Sequence, residues 1–182
     1  MKIFLTETEQ KYWFATLVVL LGIYSTLGLA GQFASFFIER ALFDLLFILG
    51  FLLTGLVVIG FGVRKKSSLT EWLLYLTMFV IVIMIFTRSG VSLAERTHLF
   101  EYGLVGVLIF KALQERGKSL FSAAIYAFIL TSFAGAIDEF IQFFLPNRVF
   151  DYLDIIRNTG AAFIGIGINF FMLALNTYRN DR

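Results

Sequence analysis

The chain has 182 residues, of which 59% are hydrophobic and 15% charged, with 23 phenylalanines and a net charge of +2. That composition excludes an ordinary soluble domain, and the lack of a basic cluster argues against a nucleic-acid partner. Cysteine is absent, which excludes disulfides and Cys-ligated metals.

A helix needs roughly 20 apolar residues to cross a bilayer core of about 30 Å. Such stretches recur at about 12–31, 41–63, 69–87, 98–115, 119–144 and 154–178. The runs are too long, and the gaps between them too short, for a transmembrane barrel. The expectation is therefore an all-α fold: a polytopic transmembrane helix bundle of about six helices in the cell membrane. The first run lies behind Glu7 and Glu9 and lacks a small-x-small cleavage pattern, so it reads as a retained helix and not a signal peptide. The segments Arg64-Lys65-Lys66-Ser67-Ser68 and Glu115-Arg116-Gly117-Lys118 read as compact basic hairpin connections.

Cytoplasmic segments carry the excess of lysine and arginine. One side collects Lys2, Lys11, Arg64, Lys65, Lys66, Lys111, Arg116, Lys118, Arg179 and Arg182, which is ten; the other holds Arg40, Arg88, Arg96, Arg148 and Arg157, which is five. Both termini are thus expected in the cytoplasm, with the loops 87–97 and 145–153 facing outward.

The ionisable residues gather toward that outward level. His98, the only histidine, shares a helix face with Glu101 and Tyr102. The fifth span ends in Asp138-Glu139-Phe140-Ile141-Gln142, which gives an otherwise apolar helix a polar edge. The only proline precedes Asn147-Arg148, and Asp154 and Asn158 share a face of the sixth span. Charged groups in a membrane are costly, usually paired, and commonly functional. His98, Glu101, Asp138, Glu139, Gln142, Arg148, Asp154 and Asn158 are accordingly read as one site, with a purely structural ion-pair network as the competing reading. Asp154 is alternatively the cap of the sixth helix, since carboxylates favour helix N-termini. Gly103, Gly106, Gly135, Gly160, Gly165 and Gly167 permit close contact among the last three helices. The phenylalanines read as lipid-facing. No cofactor fingerprint or metal-ligand spacing is present, so neither is expected.

The run His98-Leu99-Phe100-Glu101-Tyr102-Gly103, then Asp138-Glu139-Phe140-Ile141-Gln142, Pro146-Asn147-Arg148 and Asp154-Ile155-Ile156-Arg157-Asn158-Thr159-Gly160-Ala161, resembles the VanZ-like family of bacterial membrane proteins, named for a teicoplanin-resistance protein. Where the family carries a lysine before the histidine and a glycine after the proline, this chain has Glu95-Arg96-Thr97 and Asn147. The resemblance covers roughly residues 70–175. It divides the chain into an N-terminal pair of helices, 1–68, and a VanZ-like transmembrane domain, 69–178.

The resemblance implies a multi-pass bacterial membrane protein of a family linked, in some members, to tolerance of glycopeptide antibiotics, but it supplies no reaction. On one reading the site binds an envelope lipid-linked molecule, such as a cell-wall precursor, or the glycopeptide itself, with Tyr102, Gln142, Arg148, Asp154 and Asn158 as contacts. On the other it is a membrane-embedded hydrolase or transferase in which His98 with Glu101 acts as general acid/base and Asp138 with Glu139 tune one another or hold a cation. A small transporter is a third reading, disfavoured because no internal repeat is visible and the polar groups lie at one face.

Overall fold

The computed structural model describes residues 4–27, 93–145 and 150–180, with Trp72 and Leu76 in addition. Among them stand four helices, α1 (Glu7–Thr26), α2 (Leu93–Glu115), α3 (Leu120–Phe143) and α4 (Tyr152–Asn180), and no strand. The expected spans 41–63 and 69–87 lie outside the described residues, apart from Trp72 and Leu76, which are helical. The chain divides into two compact units, and all four helices fall essentially within the one formed by Met1–Leu29 and Ala94–Arg182. Two helical stretches, Leu120–Phe143 and Tyr152–Leu175, are long and apolar enough to cross a membrane.

Local signals set the helix ends. α1 begins at Glu7 and not at residue 12, because Thr6 is an N-cap whose hydroxyl accepts the Glu9 N–H at 2.9 Å. The apolar run alone hides this start. α2 likewise begins before its expected position, at Leu93, so the expected outward loop 87–97 is helical over its last residues. Its C-terminus lies where the sequence suggests. Gly117 adopts φ +83°, its N–H donates to the Gln114 carbonyl at 2.8 Å, and the Lys118 N–H donates to the Leu113 carbonyl at 3.1 Å. This is a Schellman closure, which needs a left-handed residue and therefore favours glycine. Ser119 then caps α3 by accepting the Ser122 N–H.

The burial pattern of α3 runs opposite to that of a water-soluble helix. Its buried face is Ala123, Ala127, Thr131, Ala134, Gly135, Asp138, Glu139 and Gln142, at the i, i+3, i+4 spacing of one helical stripe. Its outward face carries large apolar groups, with Phe133 65% exposed and Phe140 61% exposed. α4 repeats the arrangement: Asn158, Ala161 and Ala162 are buried while Phe163 is 69% exposed. Small and polar residues inside with aromatic residues outside suit a hydrocarbon surround, where close backbone approach and interhelical polar contact hold helices together.

α1 and α3 run in one direction and α2 and α4 in the other. Arg116, in the α2–α3 turn, pairs with Glu9 near the start of α1 at 3.1 Å, whereas the Tyr24 hydroxyl near the end of α1 donates to the Ala134 carbonyl of α3 at 2.9 Å. α3 and α4 pack along one another. α2 and α4 cross where Gly103 and Gly106 face Ala161, Ala162, Gly165 and Ile166. The core between the helices is completed by Tyr102, Val105, Ile109, Phe110 and Leu113 of α2.

The crossing gives a direct test. A Cβ on Gly165 would lie 2.5 Å from the Gly103 carbonyl oxygen, whereas one on Gly160 would meet nothing within 4 Å. Gly165→Ala is expected to lower stability by about 1–3 kcal/mol, and Gly160→Ala to leave it unchanged or raise it by up to about 1 kcal/mol. Thermal unfolding of the purified variants in detergent, followed by tryptophan fluorescence, reads the difference.

Candidate functional site

The polar residues collect at the end of the bundle that holds the α3–α4 turn. α3 delivers two neighbouring carboxylates there, both at 0% exposure. Successive residues of a helix point about 100° apart, so the pair diverges. Asp138 turns toward α1 and α2, where its carboxylate lies close enough to interact with the Tyr102 hydroxyl and with Tyr24. Glu139 turns toward α4. Its Oε1 accepts the Gln142 amide at 2.9 Å, and its Oε2 accepts the backbone N–H of Asp151 at 3.1 Å.

The start of α4 forms the rim. Asp151 precedes the helix, and its Oδ1 accepts the Leu153 N–H at 2.8 Å, the N-cap arrangement. The sequence reading that gave this cap to Asp154 is corrected here: α4 begins at Tyr152, and Asp154 is its third residue. Asp154 instead accepts from the Arg157 guanidinium, which also approaches Asp151 at 3.9 Å. In a capping box the third residue's carboxylate would take the N–H of the cap residue. Here that N–H goes to Glu139 on the neighbouring helix, so a tertiary contact replaces a local one.

Asn158, one turn deeper on α4, is fully buried. It lies against Gly135 so closely that a Cβ there would sit 2.8 Å from its own Cβ. Of the residues expected in the site, Tyr102, Asp138, Glu139, Gln142 and Asn158 are buried together around the α3–α4 contact, and Glu101 and Asp154 are half-buried at its margin. His98 lies on α2, with its side chain outside what the structure describes, and Arg148 lies outside the described residues.

Sequence reasoning missed three contributors. Tyr24 comes from α1, beyond the region of family resemblance, and its only signal is a tyrosine near the end of an apolar span, where interfacial aromatic residues gather. Arg157 counted as a topology residue and as part of the run that carries the resemblance, without a site role, although its i, i+3 spacing from Asp154 signals a pair. Asp151 was readable as a cap one residue before the true helix start.

Chemically, this is a buried acceptor-rich interior with a rim where one arginine faces two carboxylates. The divergence of Asp138 and Glu139 separates their surroundings: Glu139 is held by the Gln142 amide and the Asp151 N–H, and Asp138 lies beside the two tyrosines. Among the described residues no group of three or more His, Cys, Asp and Glu side chains is arranged to hold a metal ion. The hydroxyls of Thr131 and Ser132, deeper on α3, are buried without a hydrogen-bond partner among the described residues, whereas Thr16 and Thr177 donate to carbonyls four residues back.

Glu139→Ala removes the acceptor of two donors and is expected to destabilise the fold by about 1–3 kcal/mol, with faster hydrogen exchange at the amides of residues 151–154 in peptide-resolved mass spectrometry. Asp151→Ala should cost about 1 kcal/mol through the lost cap and loosen the same amides. Asp154→Ala, which leaves the cap in place, should not.

Comparison with known proteins adds no relative: no family model, no curated protein and no solved structure matches the chain.

Proposed function

We propose that this chain is a VanZ-like multi-pass membrane protein, a bundle of about six helices with both termini cytoplasmic, whose polar pocket binds the polar part of an envelope lipid-linked molecule or a glycopeptide at the outer face of the membrane. The observation that carries this reading is the inverted stripe of α3: two carboxylates and an amide are sealed inside at one end of a helix whose outer face is phenylalanine. A polar interior at one end of an apolar bundle suits recognition of a head group, since ionisable residues within membrane helices commonly mark functional sites.

Binding is favoured over bond breaking by how the groups are held. Both oxygens of Glu139 already accept hydrogen bonds that fix the α3–α4 turn, and Arg157 is shared between two carboxylates. Groups so engaged are preorganised to present a fixed surface. The hydrolase or transferase reading draws on a different observation, the burial of Tyr102 beside Asp138, with His98 one turn before Tyr102 on α2. In that reading His98 and Glu101 move the proton.

The described helices are compatible with the orientation taken from the Lys/Arg count, because the start of α1 and the α2–α3 turn share one end and the polar cluster lies at the other. The chain contains no cysteine, so single substitutions report cleanly. A Ser119→Cys variant should resist a membrane-impermeant maleimide in intact bacterial cells, and Tyr152→Cys should react; the reverse pattern overturns the orientation. For the site, Tyr102→Phe, Gln142→Ala and Asn158→Ala are expected to accumulate in the membrane and to lose glycopeptide tolerance in cells that depend on this protein. Retained tolerance in all three rejects the pocket. Incubation of purified protein with lipid-linked cell-wall precursor, followed by mass spectrometry, separates the two readings: binding without product supports recognition, and product supports the enzyme.

A further inference from the structure

The end of the bundle opposite the polar pocket carries a second pattern, which neither the pocket nor the family resemblance uses. The Lys111 ammonium lies 5.9 Å from the centre of the Tyr12 ring, and the Lys118 ammonium lies 5.1 Å from the centre of the Tyr126 ring. Both distances are within the range of a cation–π contact. Lys111 has a carboxylate at i+4, Glu115, yet among the described residues neither lysine makes a salt bridge or a hydrogen bond. The order lysine then glutamate is the weaker one on a helix, and the ring competes with it. Each ammonium therefore keeps its donors available while it lies over its ring.

Depth separates Lys111 from the nearby acids. Glu115 stands one turn, about 6 Å, nearer the end of α2 than Lys111, and Glu7 stands more than a turn nearer the start of α1 than Tyr12. The third carboxylate, Glu9, is fully buried and answered by Arg116, the Trp13 indole and the Leu5 N–H, so it presents no negative charge to the surroundings. By helix position Lys111 and Tyr12 therefore stand nearer the middle of the bundle than the exposed Glu7 and Glu115, and Lys118 stands in the α2–α3 turn at the bundle end. Lysines paired with tyrosine rings at the end of an apolar bundle suit a membrane interface, where rings gather at the head-group boundary and long basic side chains extend toward the phosphates.

We infer that Lys111 and Lys118, each set over a tyrosine, form a binding surface for the head-group phosphates of anionic phospholipids at the end of the bundle opposite the polar pocket. The inference rests on the membrane reading given above. A basic residue near an anionic surface contributes about 1 kcal/mol, which corresponds to roughly fivefold in affinity for each lysine and up to about thirtyfold for the pair.

The test uses the full-length purified protein in mixed phosphatidylglycerol and phosphatidylcholine nanodiscs, with retained lipid counted by native mass spectrometry. Wild type is expected to retain phosphatidylglycerol preferentially. The Lys111→Gln and Lys118→Gln variants should each lose part of that preference and the double variant nearly all of it, with thermal stability unchanged. Equal occupancy of the two lipids by wild type, or an undiminished preference in a folded double variant, overturns the inference. So does displacement of the bound lipid by millimolar inorganic phosphate, which would identify a free anion as the ligand. Release of the protein from bacterial membranes by alkaline carbonate is a separate result that would overturn the membrane reading itself, whereas retention with equal lipid occupancy rejects only the lipid surface.

Discussion

The contact on which the described bundle depends is the crossing of α2 and α4 at Gly103 and Gly165, where one backbone lies directly against the other. With the outer faces occupied by phenylalanine and leucine, burial from water contributes little to helix association if those faces meet lipid, and close backbone approach takes its place. Ala161 and Gly165 are four residues apart and form a small-xxx-small track into which α2 settles. Gly106 against Ala162 and Ile166 extends the same seam. The second seam, Gly135 against Asn158, brings a buried amide to the level of the carboxylates. Packing and site are thus set by the same few small residues.

α1 joins this arrangement by its two ends. Near its start, Glu9 gathers Arg116, the Trp13 indole and the Leu5 N–H; near its end, Tyr24 donates to the Ala134 carbonyl. A buried ion pair of this kind adds little net stability, because desolvation offsets the Coulomb attraction, but it is costly to break from one side only. Its effect is to fix which end of α1 meets which turn, and so to hold Tyr24 beside Tyr102 and Asp138.

Much of this was legible in the sequence. The lengths of α3 and α4 follow from their apolar runs, and the α2–α3 turn follows from Gly117, because its left-handed backbone has a residue-level signature. The grouping of Tyr102, Asp138, Glu139, Gln142 and Asn158 was readable from helical spacing together with the family resemblance. Other features were not. The starts of α1 and α2 lie outside the apolar runs, since Thr6 caps a polar first turn that hydropathy alone passes over. The opposite headings of Asp138 and Glu139 were implicit in the 100° step of a helix, yet which neighbour each would meet depends on packing. The exchange of Asp154 for Asp151 as the cap lay beyond the apolar run, because α4 begins at Tyr152, with the Asp151 carboxylate accepting the Leu153 N–H.

That contact, the Asp151 N–H held by Glu139, bears on how the chain assembles. The first turn of a helix is its costly nucleus, and here a group at the threshold of α4 is answered by a side chain of α3 and not by α4 itself. The boundary of α4 is therefore encoded in two places, locally in the Asp151 carboxylate that accepts the Leu153 N–H and across the turn in the Glu139 carboxylate that accepts the Asp151 N–H.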